Sequence, residues 1–176
     1  MSSQDNVNNE ETINLVKKFI ASNQRKRRNL VNDIESSAES LYIVGEEIIN
    51  NVDREGDDWC IGWVLQVLKK YKPNFFDKDI YNKWYFTSSG INLNYDDLQL
   101  NLLKQNFEEA DRLTSAYLRK LAGKVAENRG YVFYSEVKDM PDEDLVTIDR
   151  LWNIYSQGKF GFSNQAKLLK LSLIHI

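Results

Sequence analysis

Few side chains in this sequence could support metal-binding or nucleophilic chemistry. The 176 residues include one cysteine, Cys60, and one histidine, His175. A single cysteine excludes an intramolecular disulfide and a cysteine-based zinc site. A single histidine beside the C-terminus excludes a His-rich metal site and leaves no Ser–His–Asp triad. The eight glycines form no phosphate-binding loop. We therefore predict a protein that is not an enzyme and has no metal site.

A group of carboxylates is the remaining candidate for ion chemistry. It comprises Asp142, Glu143, Asp144 and Asp149. Such a group can bind a hard cation. Acidic residues in the first turn of a helix more often satisfy free N–H groups and the helix dipole, and Asp142 and Glu143 fit that role. Asp149 lies two turns further along, so it needs a partner, and Arg112 and Arg150 are the candidates.

Charge argues against a nucleic-acid partner. The sequence has 23 basic and 26 acidic residues, for a net charge of −3. The basic cluster at residues 25–28 could contact phosphates, but acidic residues follow closely, and a run of this kind is usually a solvated helix face. We predict no binding to nucleic acid.

Aromatic residues near the C-terminus allow two interpretations. The residues concerned are Trp152, Tyr155, Phe160 and Phe162. They could form a corner of the core, where glycines permit a tight turn under the rings. They could also form the floor of a site for a flat apolar ligand, and composition favours the core.

The elements that position these residues are predicted to be helices. Two prolines in 176 residues leave room for long helices. Apolar residues recur once per turn from Leu30 to Val52, which predicts one long amphipathic helix. Residues 131–134 have the composition of a strand, but the run is too short to form a sheet. The fold class is therefore all-α.

Composition also predicts the domain organisation. We expect a disordered N-terminus over residues 1–10 and a helical N-terminal domain over residues 11–90, which ends near a Thr-Ser-Ser-Gly loop. A second helical domain should cover residues 91–170. The sequence has no apolar run of about 20 residues and no secretory or transit signal at its N-terminus.

Three segments of the second half carry a family resemblance. They are FEEADRLT at residues 107–114, FYSEV at residues 133–137, and a signature within residues 141–165 that includes DL, TID, LW, YS and KFGFS. Together they resemble the core domain of the genomes-uncoupled-four family, in unbroken order over residues 95–167. The region before them resembles more loosely the helical N-terminal domain of the plastid-encoded and cyanobacterial members.

The resemblance implies a non-catalytic, all-helical protein with a cupped core that binds a tetrapyrrole on an apolar palm. The expected ligand is protoporphyrin IX or its magnesium derivative, with a bilin as a variant, and no cofactor is required. The expected role is stimulation of magnesium chelatase in chlorophyll biosynthesis through the large, porphyrin-binding subunit. The expected location is a plastid, with plastid encoding, or the cyanobacterial cytoplasm, with peripheral association with membranes.

The resemblance also implies the site residues. The palm positions of the family correspond here to Val125, Tyr134 and Val137, and Phe107 occupies a nearby position that influences the site. Other signature residues are expected to build the scaffold, namely Asp111, Asp149, Trp152, Phe160 and Phe162.

The sequence departs from the family near its C-terminus. The family core continues beyond the Phe-Gly-Phe-Ser turn with an aromatic and basic loop that closes over the ligand. We therefore expect an incomplete core, and a non-native tail over residues 171–176. A rival interpretation is a helical sensor or interaction domain of a signalling protein with no chelatase partner.

Overall fold

The computed structural model describes residues 3–76 and 85–174. Within these ranges it contains helices and no strand, so the prediction of an all-α fold is confirmed. The chain divides into two compact units, residues 1–85 and residues 86–176. No helix of the described ranges combines the length and the apolar character needed to cross a membrane.

Over residues 3–76, the first unit contains four α-helices and a short 3-10 helix. They are α1 (Ser3–Ala21), α2 (Gln24–Ser36), α3 (Ala38–Asn50), α4 (Trp59–Tyr71) and the 3-10 helix Pro73–Phe76. Helix α4 is buried from Trp59 to Leu68, and it forms the centre of the unit. A helix that is apolar on every side is stable only when other helices surround it.

Helix α1 spans Ser3–Ala21, and the Thr12 hydroxyl donates to the Asn8 carbonyl inside it. The disorder expected for residues 1–10 stays a prediction. One other prediction for the first unit is wrong. The single helix predicted from Leu30 to Val52 is two helices that meet at Ser37. The Ser37 hydroxyl donates to the Asp33 carbonyl at 2.8 Å, and this competition with the backbone favours a break.

Cys60 lies in the core of the first unit and has no solvent exposure. Its thiol donates to the Phe19 carbonyl at 3.7 Å. Burial, followed by the negative charge of Asp58, raises the pKa of Cys60 to about 12. At pH 8 only about one Cys60 side chain in 10⁴ is therefore in the thiolate form.

We expect Cys60 to be unreactive toward Ellman's reagent in the native protein at pH 8. Only the thiolate attacks the reagent, and the folded state disfavours both the thiolate and access to it. The same measurement in urea should show complete reaction within minutes. Equal rates in the two conditions would contradict the buried position of this thiol.

The second unit is also helical. Its elements are α5 (Asp96–Leu103), α6 (Phe107–Leu121), α7 (Lys124–Arg129), the 3-10 helix Tyr134–Asp139, α8 (Asp142–Tyr155) and α9 (Phe162–Ile174). Buried tyrosine and tryptophan side chains of this unit have hydrogen-bond partners for their O–H and N–H groups, as buried polar groups require. The Tyr155 hydroxyl donates to Gln99 Oε1 at 2.9 Å, and Trp152 Nε1 donates to Thr114 Oγ1 at 2.9 Å.

A buried carboxylate connects the start of the second unit to α8. Asp144 has no solvent exposure, and its two oxygens accept from the Tyr95 hydroxyl at 2.6 Å and from the Gly90 N–H at 2.8 Å. Burial, followed by the hydrogen bond to Asp144, raises the pKa of Tyr95 above its usual range. The position of Asp144 in the acidic first turn of α8 suggests only a helix-capping role. Its hydrogen bonds to Tyr95 and Gly90 show that it also connects α8 to the start of the second unit.

Candidate functional site

An apolar cleft of 580 Å³ opens on the surface of the second unit. One wall comes from the segment that follows α7, and the other comes from α8 and the first residue of α9. Its lining is almost wholly apolar or aromatic and consists of Leu118, Val132, Phe133, Tyr134, Val137, Met140, Leu145, Val146, Asp149 and Phe162. We refer to this feature below as the cleft.

The first wall depends on how α7 ends. Gly130 follows the helix with a φ of +89°, a left-handed conformation that glycine adopts without steric cost. The chain then continues to Phe133 and enters the 3-10 helix Tyr134–Asp139. Side chains three residues apart lie on the same side of a 3-10 helix, and Tyr134, Val137 and Met140 follow this spacing into the cleft.

Large apolar side chains of this wall are exposed. Tyr134 is 95% exposed, and Phe133 and Val137 are also exposed. Val146 on the opposite wall is exposed as well. Soluble proteins rarely leave apolar side chains clustered at the surface unless they contact a ligand or a partner.

Among the described residues, Asp149 is the one charged residue that lines the cleft, and its hydrogen-bond donor is a backbone N–H. Its Oδ1 accepts from the Ser163 N–H at 3.0 Å and so caps the first turn of α9. Arg112 instead pairs with Glu109 at 2.6 Å, and Arg150 donates to the Phe86 carbonyl. The predicted pairing of Asp149 with Arg112 or Arg150 is therefore wrong, because a backbone N–H supplied by the tight turn satisfies the carboxylate.

A charged pair contacts the first wall at Phe133. Arg129 Nη2 is 2.6 Å from Glu136 Oε2, and the same oxygen accepts from the Phe133 N–H at 2.7 Å. The pKa of Glu136 is lowered chiefly by the Phe133 N–H and then by Arg129. Neither Arg129 nor Glu136 lines the cleft.

The structure separates the four expected site residues. Tyr134 and Val137 line the cleft, whereas Val125 on α7 is 72% exposed and does not. Phe107 stacks with Trp152 at 6.0 Å between ring centroids, and both line a smaller cavity of 240 Å³. That cavity shares Phe162 with the cleft, so Phe107 is near the cleft without lining it.

The aromatic residues near the C-terminus are divided between the core and the cleft. Tyr155 and Trp152 are buried in the core, while Phe162 lines the cleft. The sequence analysis missed Phe133, Met140 and Val146 as lining residues. The three-residue spacing of Tyr134, Val137 and Met140 was an available signal for one of them.

A second cavity, of 400 Å³, lies in the first unit between α1, the end of α3 and the loop before α4. Isoleucine and valine side chains line it together with acidic residues such as Asp53 and Asp57. Within the described ranges, no group of three or more His, Cys, Asp or Glu side chains is arranged to hold a metal ion.

Comparison with known proteins identifies relatives of the segment that forms the cleft. The model of the GUN4-like family matches residues 88–173. The chain is 47% identical over 74 residues to a tetrapyrrole-binding protein, chloroplastic, of Arabidopsis thaliana; this match covers 42% of the chain and 28% of that relative. It is also similar to a solved structure of GUN4 from Chlamydomonas reinhardtii, with 36% identity and a TM-score of 0.49, covering 50% of this chain and 62% of the other.

Similarity also extends beyond the second unit. A Ycf53-like protein of the cyanobacterium Synechocystis is 32% identical over 130 residues, which is 72% of this chain and 56% of that relative. A match of this length exceeds residues 86–176, so it reaches into the first unit. The chain spans only 28% and 56% of the lengths of these two curated relatives.

Proposed function

Because this chain belongs to the GUN4-like family through residues 88–173, we propose that it binds a tetrapyrrole in the cleft. The lining of the cleft, from Leu118 to Phe162, lies wholly within the matched segment. A relative that matches this chain bears the name of a tetrapyrrole-binding protein. The coincidence of the matched segment with an exposed aromatic cleft is the observation that carries the proposal.

The geometry suits a flat macrocycle. A volume of 580 Å³ falls within the range of about 300–1,000 Å³ typical of small-molecule sites. Apolar side chains on both walls provide contact for the ring, and the Tyr134 ring can stack on it. The described residues of the lining contain no nucleophile–base pair, and the role proposed for the cleft is binding.

The proposed ligand is protoporphyrin IX or magnesium protoporphyrin IX, with a bilin as a variant. The proposed role is to stimulate magnesium chelatase by delivering or holding porphyrin at its large subunit. The proposed location is a plastid or the cyanobacterial cytoplasm, which relatives from a chloroplast and a cyanobacterium support, and peripheral contact with membranes is part of the proposal. Adding the protein to a magnesium chelatase assay at limiting porphyrin tests this role, and an increased rate is expected.

Substitutions in the cleft should weaken porphyrin binding without unfolding the protein. Tyr134→Ala removes an exposed ring, so we expect its cost in stability to stay within about 0.5 kcal/mol. Loss of about 100 Å² of apolar contact is worth roughly 2.5 kcal/mol before ordering costs, so the affinity should fall about tenfold or more. Val137→Asp should weaken binding further, because it places a carboxylate against the ring. Quenching of tryptophan fluorescence by deuteroporphyrin gives the affinity.

Val125→Asp is the matched control. It introduces the same charge as Val137→Asp, at an exposed position outside the cleft, and should leave the affinity unchanged. If the unmodified chain binds no porphyrin, or if Val125→Asp is as damaging as Val137→Asp, the cleft is not the site. A helical sensor or interaction domain would then be the better account of the fold.

A further inference from the structure

The Arg129 guanidinium contacts the rings of two aromatic residues, Tyr131 and Phe133, next to the cleft. Its guanidinium carbon is 4.6 Å from the centroid of the Tyr131 ring and 4.1 Å from that of Phe133. The two rings meet edge to face, with centroids 5.3 Å apart. Arg129 Nη2 also donates to the Tyr131 carbonyl at 3.0 Å. One cation therefore holds both aromatic residues of the segment that leads into the 3-10 helix.

Glu136 contacts both Arg129 and Phe133. Its Oε2 accepts from Arg129 Nη2 and from the Phe133 N–H, so one oxygen connects the end of α7 with the start of the 3-10 helix. The side chains of Arg129 and Glu136 are 20% and 24% exposed, which limits screening by solvent. Arg129 Nε is buried and donates to no acceptor within the described ranges. The stacking and the ion pair, rather than full satisfaction of its donors, therefore hold Arg129 in place.

The residues that this pair fixes are those that form the wall. Phe133 and Tyr134 line the cleft, and Val137 follows Glu136 directly. From this geometry we infer that Arg129 and Glu136 are positioning residues, which hold the first wall in its binding shape without touching the ligand. A pre-ordered wall avoids the entropy cost of ordering this segment when the ligand enters. The expected effect of Arg129 and Glu136 on ligand affinity rests on the proposed function.

The first test needs no ligand. Arg129→Met keeps the length and apolar character of the side chain but removes the cation, so the amide of Phe133 should exchange with solvent about tenfold faster in the free protein. Glu136→Gln should show a smaller increase, because its amide oxygen can still accept from Phe133. Lys138→Met is the matched control, since it removes an exposed cation from the same 3-10 helix, and it should leave exchange at Phe133 unchanged.

The second test separates positioning from direct contact with the ligand. Deuteroporphyrin and its dimethyl ester share the ring, but the ester lacks free carboxylates. If Arg129 acts through the wall, Arg129→Met should weaken both ligands by the same factor, about tenfold. If Arg129 bound a ligand carboxylate directly, only the free acid would lose affinity, and the positioning role would be overturned.

The outcomes also distinguish this inference from the proposed function. If the unmodified chain binds neither porphyrin, the proposed function is wrong. The exchange rate of the Phe133 amide would still show whether Arg129 orders the wall. Unchanged exchange at Phe133 in Arg129→Met would overturn the positioning role even if porphyrin binds. Faster exchange in Arg129→Met, together with equal losses for the acid and the ester, is the result that supports it.

Discussion

Replacing Gly161 with alanine is expected to destabilise the second unit by about 3 kcal/mol or more. Gly161 has a φ of +121°, which L residues rarely adopt. An added Cβ would lie 2.6 Å from Asp149 Oδ1 and 3.2 Å from Asn153 Nδ2. Because Asp149 Oδ1 accepts from the Ser163 N–H, moving it away also removes the cap of α9.

Gly130→Ala is the control for the Gly161 substitution. Its φ of +89° is also positive, but no atom lies within 4 Å of the added Cβ, so only the backbone cost of about 1–2 kcal/mol remains. Native-state hydrogen exchange of the full chain, read at the amides of α8 and α9, measures the loss within the second unit. Equal losses in the two variants would contradict the steric account.

Since Asp149 and Phe162 line the cleft, Gly161→Ala should also weaken porphyrin binding.

Asp144→Ala is expected to cost the second unit about 3 kcal/mol. The substitution leaves the fully buried Tyr95 hydroxyl without its acceptor, and a charge-assisted hydrogen bond of 2.6 Å is lost with it. The Gly90 N–H loses its acceptor as well, but Gly90 is exposed, so water can replace that bond. Hydrogen exchange at the amides of α5 and α8 would measure the loss.

The neighbouring Glu143 provides the control for Asp144. It occupies the same acidic first turn of α8 but is exposed, so Glu143→Ala should change stability by only about 0.5 kcal/mol. In the double variant Tyr95→Phe/Asp144→Ala the two losses should not add, because no buried hydroxyl remains unpaired. A loss for Asp144→Ala no larger than that for Glu143→Ala would show that this hydrogen bond contributes little.

The sequence alone was sufficient for the fold class, because the signals that specify helices are local. Apolar spacing near 3.6 residues, two prolines in the whole chain and glycines at turns such as Gly158 act within a few residues of one another. Local competition also explains a wrong prediction. The Ser37 hydroxyl bonds to the backbone one turn earlier and divides a helix that the apolar pattern alone predicted to be continuous.

The candidate site was only partly predictable. The family resemblance directed attention to Tyr134 and Val137, which line the cleft, and to Val125, which does not. The resemblance assigns all three residues to the palm, and all three are apolar or aromatic, so nothing local distinguishes the exposed α7 position of Val125 from the wall of a cleft. The difference arises because the chain turns at Gly130 and presents the next 3-10 helix, rather than α7, to α8.

Only the tertiary structure determines which residues distant in sequence become hydrogen-bond partners. Asp142, Glu143 and Asp144 are equivalent carboxylates in the first turn of α8, yet only Asp144 is buried, because Tyr95, which lies 49 residues earlier, donates to it. Asp149 likewise bonds to a backbone N–H that the turn at Gly161 brings within 3.0 Å. Helical periodicity specifies which face of a helix is apolar. It cannot specify which distant donor meets a carboxylate on that face, because that depends on how the helices pack.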